Sequence, residues 1–190
     1  WTTGNNGLLG SMLALLFIAT GLGGWWLDRE AWHKQGWILR QAGRSPTDFV
    51  DQAGMGPTLL NMGLTGALGT AYVLAVGSDL NGPTLGAIFT IVGFSAFGKH
   101  PRNIVPIMLG VFIASMFKDW SANDPSAVLA ALFGTTLAPI AGRFGWRWGI
   151  VAGFVHSSVA QTVGALHGGL VLYNNGFAAG LVAAILVPVI

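Results

Sequence analysis

The chain has no cysteine in 190 residues, and Asp, Glu, Lys and Arg together make up 8% of it. The first absence excludes disulfides, thiolate metal sites and cysteine nucleophiles. The second separates the chain from soluble domains, in which about 25% of residues are charged. Nucleic acid is excluded as a partner as well, because nine Lys and Arg and a net charge of +2 are too sparse for a basic stripe. There is no Gly-rich loop followed by Gly-Lys-Ser/Thr, so nucleotide binding has no support. Nothing basic precedes the first apolar run, so no signal peptide is visible.

What the chain does have is apolar sequence, 53% of it. The charges fall between uncharged runs at residues 7–27, 56–77, 82–98, 104–117, 127–142, 148–166 and 176–190. Several approach the roughly 20 residues that a helix needs to cross about 30 Å of hydrocarbon. The expectation is an all-α fold: a polytopic transmembrane helical bundle of about seven membrane segments, some short or re-entrant, multi-pass in the inner membrane. The 29 glycines fit close helix packing in lipid. Gly63, Gly66 and Gly69, and the pairs Gly149/Gly153, Gly164/Gly168 and Gly176/Gly180, are read as packing faces. Of the eight tryptophans, Trp25, Trp26, Trp32, Trp37, Trp120, Trp146 and Trp148 lie at or beyond the ends of apolar runs, as headgroup-level aromatics do. Trp1 is left unplaced.

Basic residues set the orientation. The linker 28–50 carries Arg29, Lys34, Arg40 and Arg44 and is expected on the cytoplasmic side. With seven helices the later basic loops alternate consistently, which places the N-terminal segment outside and the C-terminal end inside. Trp32, Trp37, Ile38 and Leu39 among those bases predict an amphipathic helix in the cytoplasmic interface. Pro46 breaks it, and Ser45, Thr47 or Asp48 caps the next helix. Residues 83–97 and 104–117, about 15 each and so about 22 Å long, are short for a crossing. They form either two short spans or a re-entrant hairpin with Lys99-His100-Pro101-Arg102-Asn103 at its tip, and the charge rule does not separate the two. The chain starts at Trp1 without Met, and its last apolar run has about 15 residues. We therefore expect residues 1–190 to be a single transmembrane domain, a fragment of a longer membrane protein.

Three places could carry chemistry. The first is Gly93-Phe94-Ser95-Ala96-Phe97-Gly98-Lys99-His100-Pro101-Arg102-Asn103, which gathers three potential cations between two short apolar runs. At membrane depth each charge costs about 2.5–3.5 kcal/mol, so burial there needs a functional return; a cytoplasmic turn needs none. The second is the echo Gly56-Pro57-Thr58-Leu59 and Gly82-Pro83-Thr84-Leu85, two helix starts whose free N–H groups could face a solute or simply lie at opposite surfaces. Asn61, Thr65, Asn81, Thr84 and Thr90 accompany them. The third is His156-Ser157-Ser158 with Gln161 and Thr162, which must face a cavity or bond neighbouring helices. His167 lies eleven residues from His156, some 16 Å along a helix, so the two cannot share a metal ion. A weaker echo relates Gly98-Lys99 and the stretch from Gly110 to Gly142-Arg143 and the stretch from Gly153. No nucleophile motif is convincing, since Gly93-Phe94-Ser95 lacks the glycine two residues beyond the serine.

The motifs Gly56-Pro57-Thr58-Leu59-Leu60-Asn61, Leu80-Asn81-Gly82-Pro83-Thr84 and Gly93-Phe94-Ser95-Ala96-Phe97-Gly98-Lys99-His100-Pro101 resemble an uncharacterised family of bacterial polytopic membrane proteins, domain of unknown function 1576. The resemblance extends over most of the chain and implies a prokaryotic membrane protein, without an activity or site residues. Asn61-Met62-Gly63-Leu64-Thr65-Gly66 is loosely similar to a pattern of urea-channel-type proteins, an analogy at the level of fold.

The expected function is a transporter or channel component for a small polar or anionic solute. Its solute-path candidates are Asn61, Thr65, Asn81, Thr84, Ser95, Lys99, His100, Arg102, Asn103, His156, Ser157 and Gln161. No cofactor and no metal are expected. The partners are the lipid bilayer, the solute, and either a second copy or the rest of the same polypeptide. The alternatives are a membrane-embedded enzyme with His156 or His100 as base, and a scaffold subunit whose glycines only pack helices.

Overall fold

The computed structural model describes residues 4–44, 47–163 and 171–190. Trp1, Ser45, Pro46, Gly164, His167 and Gly168 lie outside them. The fold is all-α, and the described residues divide into two compact units, Trp1–Pro101 and Arg102–Ile190. Three segments are long and apolar enough to cross a membrane: Asn6–Leu27, Met55–Ala75 and Pro125–Phe144.

The first unit contains α1 (Asn6–Leu27), α2 (Ala31–Ile38), α3 (Phe49–Ala53), α4 (Met55–Ala75) and α5 (Gly82–Phe94). At 1.5 Å per residue α1 is about 33 Å long, enough for the hydrocarbon core. It buries just Leu13, Phe17 and Gly24, while Leu8, Met12, Leu15, Leu16, Ile18 and Leu22 face outward. So large an apolar surface is unsuited to water and suited to lipid. α1 and α4 run antiparallel and touch through glycine. A Cβ on Gly24 would run into the Gly56 carbonyl, and one on Gly63 would lie 2.6 Å from the Phe17 carbonyl. α5 returns antiparallel along α4, with Ile88 against Gly69.

One end of this unit collects its bases. Arg29 stacks on Trp25 at the end of α1, Lys34 pairs with Asp28 at 2.7 Å, and Gly43, next to Arg44 in the chain, abuts Gly98, next to Lys99. The pair holds the Asp28 carboxyl below and the Lys34 ammonium above their ordinary ranges, chiefly through the hydrogen bond they share. At the other end the Asn6 side chain joins the start of α1 to Ser78, Asp79 and Leu80, and no Lys or Arg lies among the described residues there. The expected linker helix exists as α2, with Ala31, Gln35 and Ile38 buried in one stripe and Trp32 and Trp37 exposed. Of the three candidate caps for α3, Asp48 serves, its carboxylate accepting from the N–H groups of Val50 and Asp51.

The second unit contains α6 (Pro101–Ser115), α7 (Pro125–Gly134), a 3₁₀ turn (Thr135–Leu137), α8 (Ala138–Phe144), α9 (Trp146–Val163) and α10 (Val171–Leu186). The apolar run from Pro125 to Phe144 is thus interrupted at its middle. Pro139 has no N–H to give the Thr135 carbonyl and its ring crowds that oxygen, so the chain tightens into a 3₁₀ turn. Gly145 at φ 97° then turns the chain into α9, as Gly54 at φ 95° turns it into α4. The weak echo proves to be a packing device. A Cβ on Gly110 would strike the Ile150 carbonyl and one on Gly153 the Ile107 carbonyl, so α6 and α9 cross with backbones in contact. Gly176 and Gly180 meet nothing within 4 Å among the described residues, so the packing role expected of that pair is not seen there.

Candidate functional sites

The basic end of the first unit holds a buried polar junction. Asn61 lies two turns into α4 and is fully buried. Its Nδ2 donates at 2.8 Å to both the Ser95 and Lys99 carbonyls, and its Oδ1 accepts from Gln35 Nε2 at 3.0 Å. Those carbonyls come just after the last turn of α5, where helix carbonyls lose their internal partners. Asn61 therefore acts as a C-cap supplied by a neighbouring helix. Ser95 Oγ donates to the Val92 carbonyl at 2.6 Å, and His100 Nε2–H donates to the Gln41 carbonyl at 2.9 Å. The Phe49 N–H bonds the Ala96 carbonyl at 2.9 Å, so the start of α3 joins Gln41 and Gly43 against the 95–100 turn. Gly98, at φ 113°, sits against the Gly43 backbone, where a side chain has no room. Lys99 is 9% exposed, with Nζ 5.1 Å from the Phe94 ring centre, and burial pushes its ammonium down to about 8. The side-chain Oε1 of Gln35 is buried without a hydrogen-bond partner among the described residues.

The second unit has its polar centre at the 3₁₀ break. His156 is fully buried, and its Nε2–H donates to Asn175 Oδ1 of α10 at 3.1 Å. Its ring lies against Gly134, the last residue of α7, where a Cβ would sit 2.7 Å from Cδ2. Gly134 is the tenth residue of the 20 from Pro125 to Phe144, so the imidazole is level with the midpoint of the membrane-length apolar segment of this unit. Thr135, buried beside it, donates Oγ1–H to the Leu132 carbonyl at 2.6 Å. Asn174 Oδ1 is buried and has no hydrogen-bond partner among the described residues.

The remaining candidates are spread out. Asn81 and Thr84 form a capping box at the start of α5, each side chain bonded to the other's N–H, at 3.1 and 2.8 Å. Asn61 serves the opposite end of the same helix, whose 13 residues put about 20 Å between them. The two Gly-Pro-Thr-Leu starts therefore open at opposite ends of an antiparallel pair, with Asn61 and Asn81 a helix length apart. Thr65 turns its hydroxyl back to the Asn61 carbonyl at 2.9 Å, and Thr90 turns its own to Gly86. Ser157 is buried, its hydroxyl 3.4 Å from the Phe154 carbonyl, and Gln161 donates to Ser126 Oγ at 3.0 Å. Arg102 is exposed, while Asn103 is fully buried in the first turn of α6. His156 meets an amide oxygen and His100 a backbone carbonyl, and neither atom is a nucleophile for a general base to activate. Among the described residues no group of three His, Cys, Asp or Glu could hold a metal ion.

Gln35, Asn174 and Asn175 were not picked out by sequence. Gln35 carried a signal, because it interrupts the apolar stripe of α2 between Ala31 and Ile38. The adjacent amides of Asn174 and Asn175, standing before an apolar run, carried another.

A family model described as a protein of unknown function, DUF1576, matches residues 27–190. The chain belongs to the DUF1576 family. The match takes in both polar centres and α2–α10, and it begins at the last residue of α1. No curated protein and no solved structure matches this DUF1576 chain.

Proposed function

We propose that the chain is a multi-pass inner-membrane protein of about seven segments that carries a small polar or anionic solute across the bilayer. The observation that supports this reading is His156 with Asn175 at the interrupted middle of an apolar run. An ionisable side chain at that depth is expensive and is commonly kept for a solute or proton contact. The 3₁₀ turn beside it is the kind of local break that marks a hinge or a binding position within a helix. A membrane enzyme is the weaker reading, because the two histidines bond an amide oxygen and a carbonyl rather than a nucleophile.

Flux into proteoliposomes, measured against a panel of small anions and neutral amides, tests the proposal. His156→Phe keeps an aromatic ring beside Gly134 but removes the hydrogen bond to Asn175, and should reduce carriage of the true solute by about tenfold or more. Wild-type flux in a folded His156→Phe protein, for a solute that the wild type carries, would end the case for this site.

Orientation follows from the bases gathered at one end of the first unit. Gln35 is unsuitable for labelling because it is buried, whereas Gly36 is exposed with open space at its Cβ. Cysteine at Gly36 should react with an impermeant maleimide only from the cytoplasmic side, and cysteine at Asn5 only from the outside. Labelling of both from the same side would overturn the topology.

A further inference from the structure

We propose that the groove between α1 and α4 is a specific site for one acyl chain of a phospholipid, with the lipid's phosphate held at Arg29. The proposal rests on the membrane reading above. The groove has a volume of about 210 Å³, and Phe17, Ile18, Gly21, Trp25, Leu64 and Ala67 are among its lining residues. The lining is almost entirely carbon, so a polar solute has nothing to bind there. It owes its depth to glycine: at Gly21 the nearest atom to an added Cβ is Leu60 Cδ1, at 3.7 Å.

Its dimensions select the occupant. From Trp25 to Ile18 is seven residues, about 10 Å along α1. A helix with its side chains is about 10–12 Å across and does not enter a cavity of 210 Å³, whereas a single alkyl chain does. The ends of the groove differ as the two ends of a lipid do. Trp25 and Trp32 stand at the mouth, as headgroup-level tryptophans stand, and Ile18 and Ala67 lie deeper in the span. The Arg29 guanidinium lies 4.1 Å from the centre of the Trp25 ring and is exposed at that mouth. Lys34 is already paired with Asp28, so Arg29 is the cation placed to meet a phosphate, to which its planar fork is suited.

The test uses the full chain in nanodiscs of phosphatidylglycerol that contain a trace of the same lipid with a diazirine on its acyl chain. Photolysis and peptide mass spectrometry then compare label on the groove residues with label on the outward face of Met12, Leu16 and Ala19, which lies on the far side of α1 from the groove. The groove should carry several times more label. Ala67→Phe, at an exposed position, should fill it and reduce that label by about tenfold, while Ile18→Trp at the rim does so independently. Arg29→Gln should reduce labelling from phosphatidylglycerol, and none of the three should alter label on the outward face. Equal labelling of the two faces, or undiminished label in both filled variants, would overturn the site alone. A cross-link from the groove to a second copy would overturn it too, and absence of label from both faces would remove the membrane reading along with it.

Discussion

Gly110→Val should cost the second unit about 3 kcal/mol, at the upper end of what overpacking usually costs. A Cβ at Gly110 would run into the Ile150 carbonyl and come within 2.8 Å of the Phe154 N–H. Both are backbone atoms of α9, and a backbone cannot rotate out of the way as a side chain can. The Gly153 contact with Ile107 belongs to the same crossing, so moving α9 away from Gly110 also opens the second contact. Because lipid offers little hydrophobic drive between helices, that close approach is a main source of their association. Gly176→Ala is the control, since nothing described lies within 4 Å of its Cβ and alanine is the better helix former by about 1 kcal/mol. Unfolding in a denaturing detergent, followed by circular dichroism, should show an early midpoint for Gly110→Val and an unchanged or later one for Gly176→Ala. Equal midpoints for Gly110→Val and wild type would mean that the α6–α9 crossing does not hold this unit together.

The elements of this fold could be read from the sequence because each depends on local composition. The seven apolar runs reappear within α1, α4, α5, α6, the α7–α8 pair, α9 and α10, with ends displaced by a few residues. The gathering of bases at one end of the first unit was legible for the same reason, since Arg29, Lys34, Arg40 and Arg44 mark one linker whatever the tertiary structure does with it. The break at Thr135–Leu137 was hidden in an unbroken apolar run, although Pro139 held the means of predicting it. Partners were not legible. The pairing of Asn61 with Ser95 and Lys99 spans 34 and 38 residues, and that of His156 with Asn175 spans 19. No period or motif encodes such a separation. For that reason the Gly-Pro-Thr-Leu echo, which looks like two half-helices aimed at one point, belongs to opposite ends of one helix pair. The echo at Gly110 and Gly153, which looks incidental in sequence, records two backbones in contact.

Asn61→Leu should cost the first unit about 2–3 kcal/mol, and Gln35→Leu very little. Leucine fills the space of Asn61 but removes its bonds to the Ser95 and Lys99 carbonyls and to the Gln35 amide. Three buried groups at about 1 kcal/mol or more each set the upper figure. The average of about 0.6 kcal/mol for a hydrogen bond between helices in a membrane sets the lower one. Gln35→Leu also strands an acceptor, Asn61 Oδ1, but it removes Gln35 Oε1, which is already buried without a partner among the described residues. The two effects nearly cancel. Asn61→Asp preserves shape while turning both donors into acceptors that face two carbonyl oxygens, so it should be at least as damaging as leucine. Denaturation midpoints of the three variants and of the double variant Asn61→Leu with Gln35→Leu then form a cycle. If Asn61 is chiefly the cap of α5, the double variant should be no less stable than Asn61→Leu, because the stranded Gln35 amide is gone. A Gln35→Leu protein as unstable as Asn61→Leu would instead place the strength of the junction in the contact between α2 and α4, and the capping account of Asn61 would fail.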